Sequence, residues 1–192
     1  MNNDLKSDIW RKQMGSLLSG KVLGVVGLGE IGKTFIKITS GLGLKYLAYD
    51  INEDDEFSTE YDVKYVPLDQ LLEESDLITL HINSSKENKD FINLEKFRKM
   101  KKTPLLVNTS RGDILDEDAL IEALDKGYIS GAALDVFKQE PYTPNKKILS
   151  IDNVILTPHI AASTAEASIV VAEMAANQVS DYLLDGTSIH TV

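Results

Sequence analysis

Lys21-Val22-Leu23-Gly24-Val25-Val26-Gly27-Leu28-Gly29-Glu30-Ile31-Gly32 decides how the rest of the chain is read. Lys21–Val26 has the run of small and β-branched residues of a strand buried on both faces, and Ile31–Ser40 continues with helical spacing. Between them, Gly27-Leu28-Gly29-Glu30-Ile31-Gly32 matches G-x-G-x-x-G, a weak pattern alone but a specific one between a strand and a helix. Gly27 permits the tight turn, Gly29 lets a pyrophosphate approach the backbone, and Gly32 lets helix and strand pack closely. The unpaired N–H groups of the helix start, around Glu30 and Ile31, complete an anion cradle. Glu30 places a negative charge beside it.

Outward from this unit, apolar runs alternate with amphipathic stretches. Strands are expected at Leu44–Asp50, Val63–Val66, Leu77–Ile82, Leu105–Asn108, Ala132–Val136 and Val154–Thr157. Helices are expected at Leu68–Glu73, after Asn93 to Met100, after Asp116 to Lys126 and over Ala165–Leu184. The acidic stretch Asn52–Tyr61 and the proline-bearing Pro141–Lys147 read as loops. The fold expected is α/β: a Rossmann-type, doubly wound, mostly parallel sheet with helices on both faces, as a single domain. It occupies residues 21–184, between an N-terminal helical extension over 1–20, carrying Ile9, Trp10, Leu17 and Leu18, and a polar tail over 185–192.

Asp50 ends the second strand 18 residues after Gly32, near the position of a ribose-binding acid. Its carboxylate suits two ribose hydroxyls and repels a 2′-phosphate, and no arginine follows to compensate, so NAD is expected over NADP.

Composition excludes several alternatives. A net charge of −10 on 192 residues disfavours nucleic acid as a partner, whose phosphates demand a basic surface. The one basic cluster, Lys96, Arg98, Lys99, Lys101 and Lys102, reads as the solvated end of a helix. No apolar run is long enough to span a bilayer, and the polar start carries no signal-peptide core, so no membrane partner and a cytoplasmic location are expected. There is no cysteine, which removes disulfides and thiolate ligands, and the three histidines are too dispersed for a metal site.

Polar residues gather at or just after three expected strand ends: Asn108-Thr109-Ser110-Arg111-Gly112, Asp135-Val136-Phe137-Lys138-Gln139-Glu140-Pro141 and Thr157-Pro158-His159-Ile160. Ligands of open α/β sheets bind at these ends. Taken singly, Arg111 reads as a surface charge, Glu140 as loop polarity and His159 as a structural histidine.

Together with the glycine turn, in this order and spacing, the segments resemble the D-isomer-specific 2-hydroxyacid dehydrogenases over roughly residues 20 to 184. The resemblance implies hydride transfer between NAD and a D-2-hydroxy acid or its 2-keto acid. It implies catalytic roles for Arg111, which would grip the substrate carboxylate, for His159, which would exchange the hydroxyl proton, and for Glu140, which would orient the imidazole. It places Thr109, Asp135 and His159 near the cofactor. His81 reads equally as a wall of the cofactor pocket or as a structural residue, and His190 lies in the tail.

Departures from the pattern are Glu30, where a basic residue is common, and Ile82-Asn83-Ser84-Ser85, where a proline-containing segment lines the adenine. The resemblance further implies a homodimer, and a substrate domain that this sequence lacks. A fragment or truncated form with poor turnover alone is therefore expected. Two alternatives remain: a non-catalytic NAD-binding regulatory module, and another enzyme sharing the cofactor fold.

Overall fold

In the computed structural model, which describes residues 6–8, 10, 12, 14–143 and 146–187, the apolar runs line up side by side as one sheet. Its strands are β1 (Val22–Val26), β2 (Lys45–Tyr49), β3 (Val63–Tyr65), β4 (Leu77–Leu80), β5 (Leu105–Asn108), β6 (Gly131–Leu134) and β7 (Val154–Leu156). They pair in the order β3-β2-β1-β4-β5-β6-β7, and every pairing is parallel. A parallel sheet needs a crossover after each strand. Among the described residues these carry the helices α1 (Glu30–Thr39), α2 (Asp55–Tyr61), α3 (Leu68–Glu74), α4 (Leu94–Lys99), α5 (Glu117–Asp125) and α6 (Lys146–Leu149), and α7 (Ala165–Asp185) follows β7.

Alternation along the strands sorts the core into two layers. Leu23, Val25, Tyr46 and Ala48 face Ile36 of α1 and Phe57 of α2. Val26, Leu47, Ile78, Leu80, Leu106 and Leu134 join the buried residues of α3, α4 and α5 in the other layer. The doubly wound reading is thus met, and the strand order reverses between β1 and β4. Loops leaving those two strands diverge to opposite sides and open a crevice above the turn at Gly27.

Sequence-expected caps are present. The Asn93 side chain accepts from Lys96 N at 3.2 Å, Asp116 accepts from Asp118 N and Ala119 N, and Gly127 leaves α5 with φ +70°. The basic cluster is a helix end whose lysines are engaged locally. Lys99 pairs with Asp69 and Glu95, Lys101 and Lys102 lie near Glu73 and Asp76, and Lys96 sits over the Phe91 ring.

Three expectations change. Asn52–Tyr61, read as loop, contains α2. The Asp54 carboxylate caps it by accepting from Phe57 N at 3.0 Å, and Asp55 and Glu56 suit the positive end of the helix dipole. Phe57 anchors it, stacked on Tyr61 one turn later with centroids 4.6 Å apart. The acidity taken for a solvated loop is that of a helix start. Secondly, Pro141–Lys147, read as loop, runs into the short helix α6. Thirdly, the N-terminal helix over 1–20, expected to pack on the domain edge or against a partner, is not formed at Met14–Leu18, and Trp10, Met14 and Leu17 are exposed, so packing on the domain edge is not met. Ile9 lies outside the described residues, as does His190 of the tail. Helix α7 begins and ends close to where expected, but none of its residues is buried.

Candidate active site

The glycine turn after β1 is shaped by contacts only glycine allows. Gly27 has φ +91°, in the left-handed region, and a Cβ there would lie 2.8 Å from the His81 carbonyl carbon at the end of β4. A Cβ on Gly32 would collide with the Gly27 carbonyl oxygen, so α1 can dock on the turn only with glycine at that point. At Gly29 the position of a Cβ is open space, so the backbone there can be approached from outside. Gly29 caps α1 without any side-chain hydrogen bond, leaving first-turn N–H groups for a ligand. These features fit a dinucleotide pyrophosphate.

Asp50 stands beside this turn. Its Oδ2 accepts from Leu28 N at 2.6 Å and its Oδ1 from Asn52 N at 2.9 Å, which fixes the carboxylate while leaving a lone pair on each oxygen. A cavity of about 320 Å³ lies over Gly27, Gly29, Asp50, Asn52, His81 and Phe91. It shares His81, Ile82 and Asn83 with a second recess of about 200 Å³ lined also by Ile31, Thr109, Ser110 and Arg111. The crevice therefore runs from the acid at the end of β2 to the arginine after β5.

His81 forms its wall. Burial pushes the imidazole pKa down to about 4, its Nε2 lies 3.0 Å from Thr79 Oγ1, and its ring is tilted against Phe35. It is a neutral surface near pH 7. Glu30 is exposed at the start of α1, and the nearby cation, Lys33, is bound to Asp54. That bond is the main reason the Lys33 pKa is raised. Anion binding at the turn rests on backbone donors.

The three polar segments emerge from adjacent strands. Asn108, fully buried at the end of β5, donates to Arg111 O at 2.9 Å and accepts from Ser110 N and Ser110 Oγ. It closes the turn that presents Arg111, whose exposed guanidinium bonds Ser110 O at 2.7 Å. Gly112 lies so close to the backbone of Phe137 and Lys138 that any Cβ would collide with it, so the β5 and β6 loops are in direct contact.

From the β7 loop, His159 Nδ1 meets Glu140 Oε2 at 2.6 Å. The other carboxylate oxygen accepts from Phe137 N at 3.0 Å. The bond to His159, then that to Phe137, hold the Glu140 carboxyl below the usual range. His159 has φ +53°, an uncommon conformation for a residue with a side chain. Asp135 holds the backbone that follows: its carboxylate accepts from Ile160 N at 2.9 Å, Ala161 N at 2.8 Å and Thr157 Oγ1. Burial alone would raise the Asp135 pKa, but these bonds outweigh it and lower the value.

Glu140 and His159 are thus brought together. Arg111 is on the abutting loop, without a hydrogen bond to either, and it lines the recess shared with Ile31 and His81. The dyad instead borders a separate, mainly apolar cavity of about 490 Å³ with Phe137, Tyr142, Leu156 and Pro158. A larger hollow between α5 and α6, lined by Asp118, Glu122 and Asp125, contains none of these groups. Asn108, Gly112 and Thr157 were not singled out from sequence as site-forming. A buried amide ending an apolar strand was the available signal for Asn108.

Comparison with known proteins agrees with this fold. Residues 1–161 match the family model described as D-isomer specific 2-hydroxyacid dehydrogenase, NAD binding domain. A glyoxylate reductase of Korarchaeum cryptofilum is 43% identical over 88% of this chain and 52% of its own length. A D-3-phosphoglycerate dehydrogenase of Synechocystis is 45% identical over 95% of this chain and 33% of its own. The glyoxylate reductase structure from Paecilomyes thermophila superposes with a TM-score of 0.91 at 27% identity, over 100% of this chain and 58% of the other. A D-lactate dehydrogenase with NAD+ from Lactobacillus jensenii gives 0.87 at 29% identity, over 100% and 62%. The chain spans about half the length of the glyoxylate reductases it matches, and about a third of the phosphoglycerate dehydrogenase. With its glycine turn, strand-end acid and Glu140–His159 pair in these places, the chain belongs to the D-isomer specific 2-hydroxyacid dehydrogenase family, of which it forms the NAD-binding domain.

Proposed function

We propose that this domain serves an oxidoreductase that moves hydride between NAD and a D-2-hydroxy acid or its 2-keto acid. The observation that carries the reading is the 2.6 Å contact between His159 Nδ1 and Glu140 Oε2. A carboxylate on Nδ1 leaves Nε2 as the atom that exchanges a proton, which is the requirement for general acid–base work on a hydroxyl. When bound, NAD supplies the hydride acceptor. His159 Nε2 would take the hydroxyl proton when the hydroxy acid is oxidised and return it when the keto acid is reduced. Arg111 would grip the substrate carboxylate with its planar fork of donors. Gly27, Gly29 and the first turn of α1, with Ile31, would hold the pyrophosphate, Asp50 the ribose, and His81 and Thr109 the crevice wall. Asp135 would hold the His159 segment beside the nicotinamide.

The same reading includes a cytoplasmic homodimer. None of the described helices is long and apolar enough to cross a membrane. The exposed Trp10, Met14, Leu17 and Leu18 form an apolar segment suited to a second copy. Sedimentation at micromolar concentration should show dimers, and monomers alone would remove this part.

The test of function is Arg111→Ala in a protein joining this chain to the substrate domain of a relative. Turnover of D-2-hydroxy acids, followed as NADH formation, should fall by at least about a hundredfold while NADH binding persists. Unchanged turnover would overturn the assignment. NADH binding with no turnover by the parent protein would favour a regulatory module.

A further inference from the structure

Glu140 can fix the His159 tautomer only while its own carboxylate is held, yet residues 138–141 form an exposed loop between β6 and α6. The loop is gripped at its base. Phe137 and Tyr142, which bracket it, stack with ring centroids 3.8 Å apart and planes 13° apart. Tyr142 OH then donates to Glu117 Oε1 at 3.0 Å, in the first turn of α5. Phe137 is itself buried, presses on Gly112 and donates its N–H to Glu140 Oε1. One aromatic pair therefore joins the two ends of the loop, and one hydroxyl ties that pair to a helix.

We propose that Tyr142 is a positioning residue for Glu140: its ring closes the loop base on Phe137, and its hydroxyl, held by Glu117, fixes that base to α5. In this arrangement the proton of the neutral imidazole stays on Nδ1 of His159, facing Glu140, and Nε2 keeps its lone pair for the substrate hydroxyl. An exposed loop without the clamp samples many conformations, and most of them separate the carboxylate from the ring. The use made of Nε2 rests on the proposed function. The clamp itself rests only on the contacts above.

The experiment uses the whole 192-residue chain with 15N-labelled histidine, read by ring nitrogen–proton correlation NMR above the pH at which imidazole is charged. His159→Gln assigns the signals. The wild type should show His159 as the Nδ1–H form. Glu140→Ala should lose that signature, and Tyr142→Ala should move toward the Glu140→Ala pattern while NADH binding is retained. Tyr142→Phe, which keeps the stack, should lose less. A folded Tyr142→Ala protein with an unaltered His159 signature overturns the clamp. If Glu140→Ala itself leaves the signature unaltered, the dyad and the functional reading fail instead, a distinguishable result. Should Tyr142→Ala not fold, Tyr142→Phe and Glu117→Ala decide. A partial loss of the Nδ1–H signal in either supports the proposal, and wild-type spectra in both overturn it.

Discussion

Acidification should expose the strain of keeping His81 neutral in the crevice wall. Burial takes its pKa from the ordinary 6.5 to about 4. The folded value lies below the unfolded one, so the unfolded chain takes up its proton first. Stability is therefore full above about pH 6.5, declines as pH falls through the window down to about 4, and declines no further on this account below it. The separation of the two values corresponds to on the order of 3 kcal/mol, and linkage places about 2 kcal/mol of it at pH 5. His81→Gln removes the titrating group while retaining a polar side chain near Thr79. Urea unfolding of both proteins at pH 7.5, 6, 5 and 4.5 should show the wild type losing stability relative to His81→Gln by about 2 kcal/mol by pH 5. Carboxylates common to both proteins cancel in the difference. Parallel loss across the whole series would refute the reasoning, because it would mean that His81 is already solvated well enough to charge.

Glu30→Gln should tighten NADH about threefold to tenfold, with most of the gain at low salt, since it removes a negative charge beside the pyrophosphate cradle; fluorescence titration checks this. Asp50→Ala should weaken NADH binding about tenfold or more and narrow the preference over NADPH, both read by the same titration. Gly112→Ala should lower stability by about 1–3 kcal/mol, because its methyl group must part the β5 and β6 loops. Calorimetry should show a melting temperature about 2–10 °C lower.

Periodicity made most of the fold legible before any coordinates. Buried strands such as Lys21–Val26 and Leu105–Asn108, punctuated by Gly27, Asn93, Asp116 and Gly127, mark elements whose signals are local: side-chain period, cap chemistry and backbone freedom. Helix α2 escaped for a physical reason. Its weight rests on one anchor, Phe57, in a stretch whose acids suit either a solvated loop or a helix start. The N-terminal residues erred the other way, because apolar spacing alone does not form a helix at Met14–Leu18 without a surface to bury it.

Within the site the division is the same. The glycine turn and Asp50 could be chosen from sequence because each residue type answers a chemical need at a strand end, and Arg111, Glu140 and His159 through the family resemblance of their segments. That Asp135 spends its carboxylate on Ile160, Ala161 and Thr157 could not be chosen in this way, nor that Tyr142 donates to Glu117 at the start of α5. Those contacts join residues from 22 to 26 positions apart and depend on which strands become neighbours, so no short window along the chain contains them. Sequence by itself determined the candidates for binding a dinucleotide and moving a proton. Only the packing of β5, β6 and β7 side by side decided which of them meet, because hydrogen bonds are set by distances in space rather than by order along the chain.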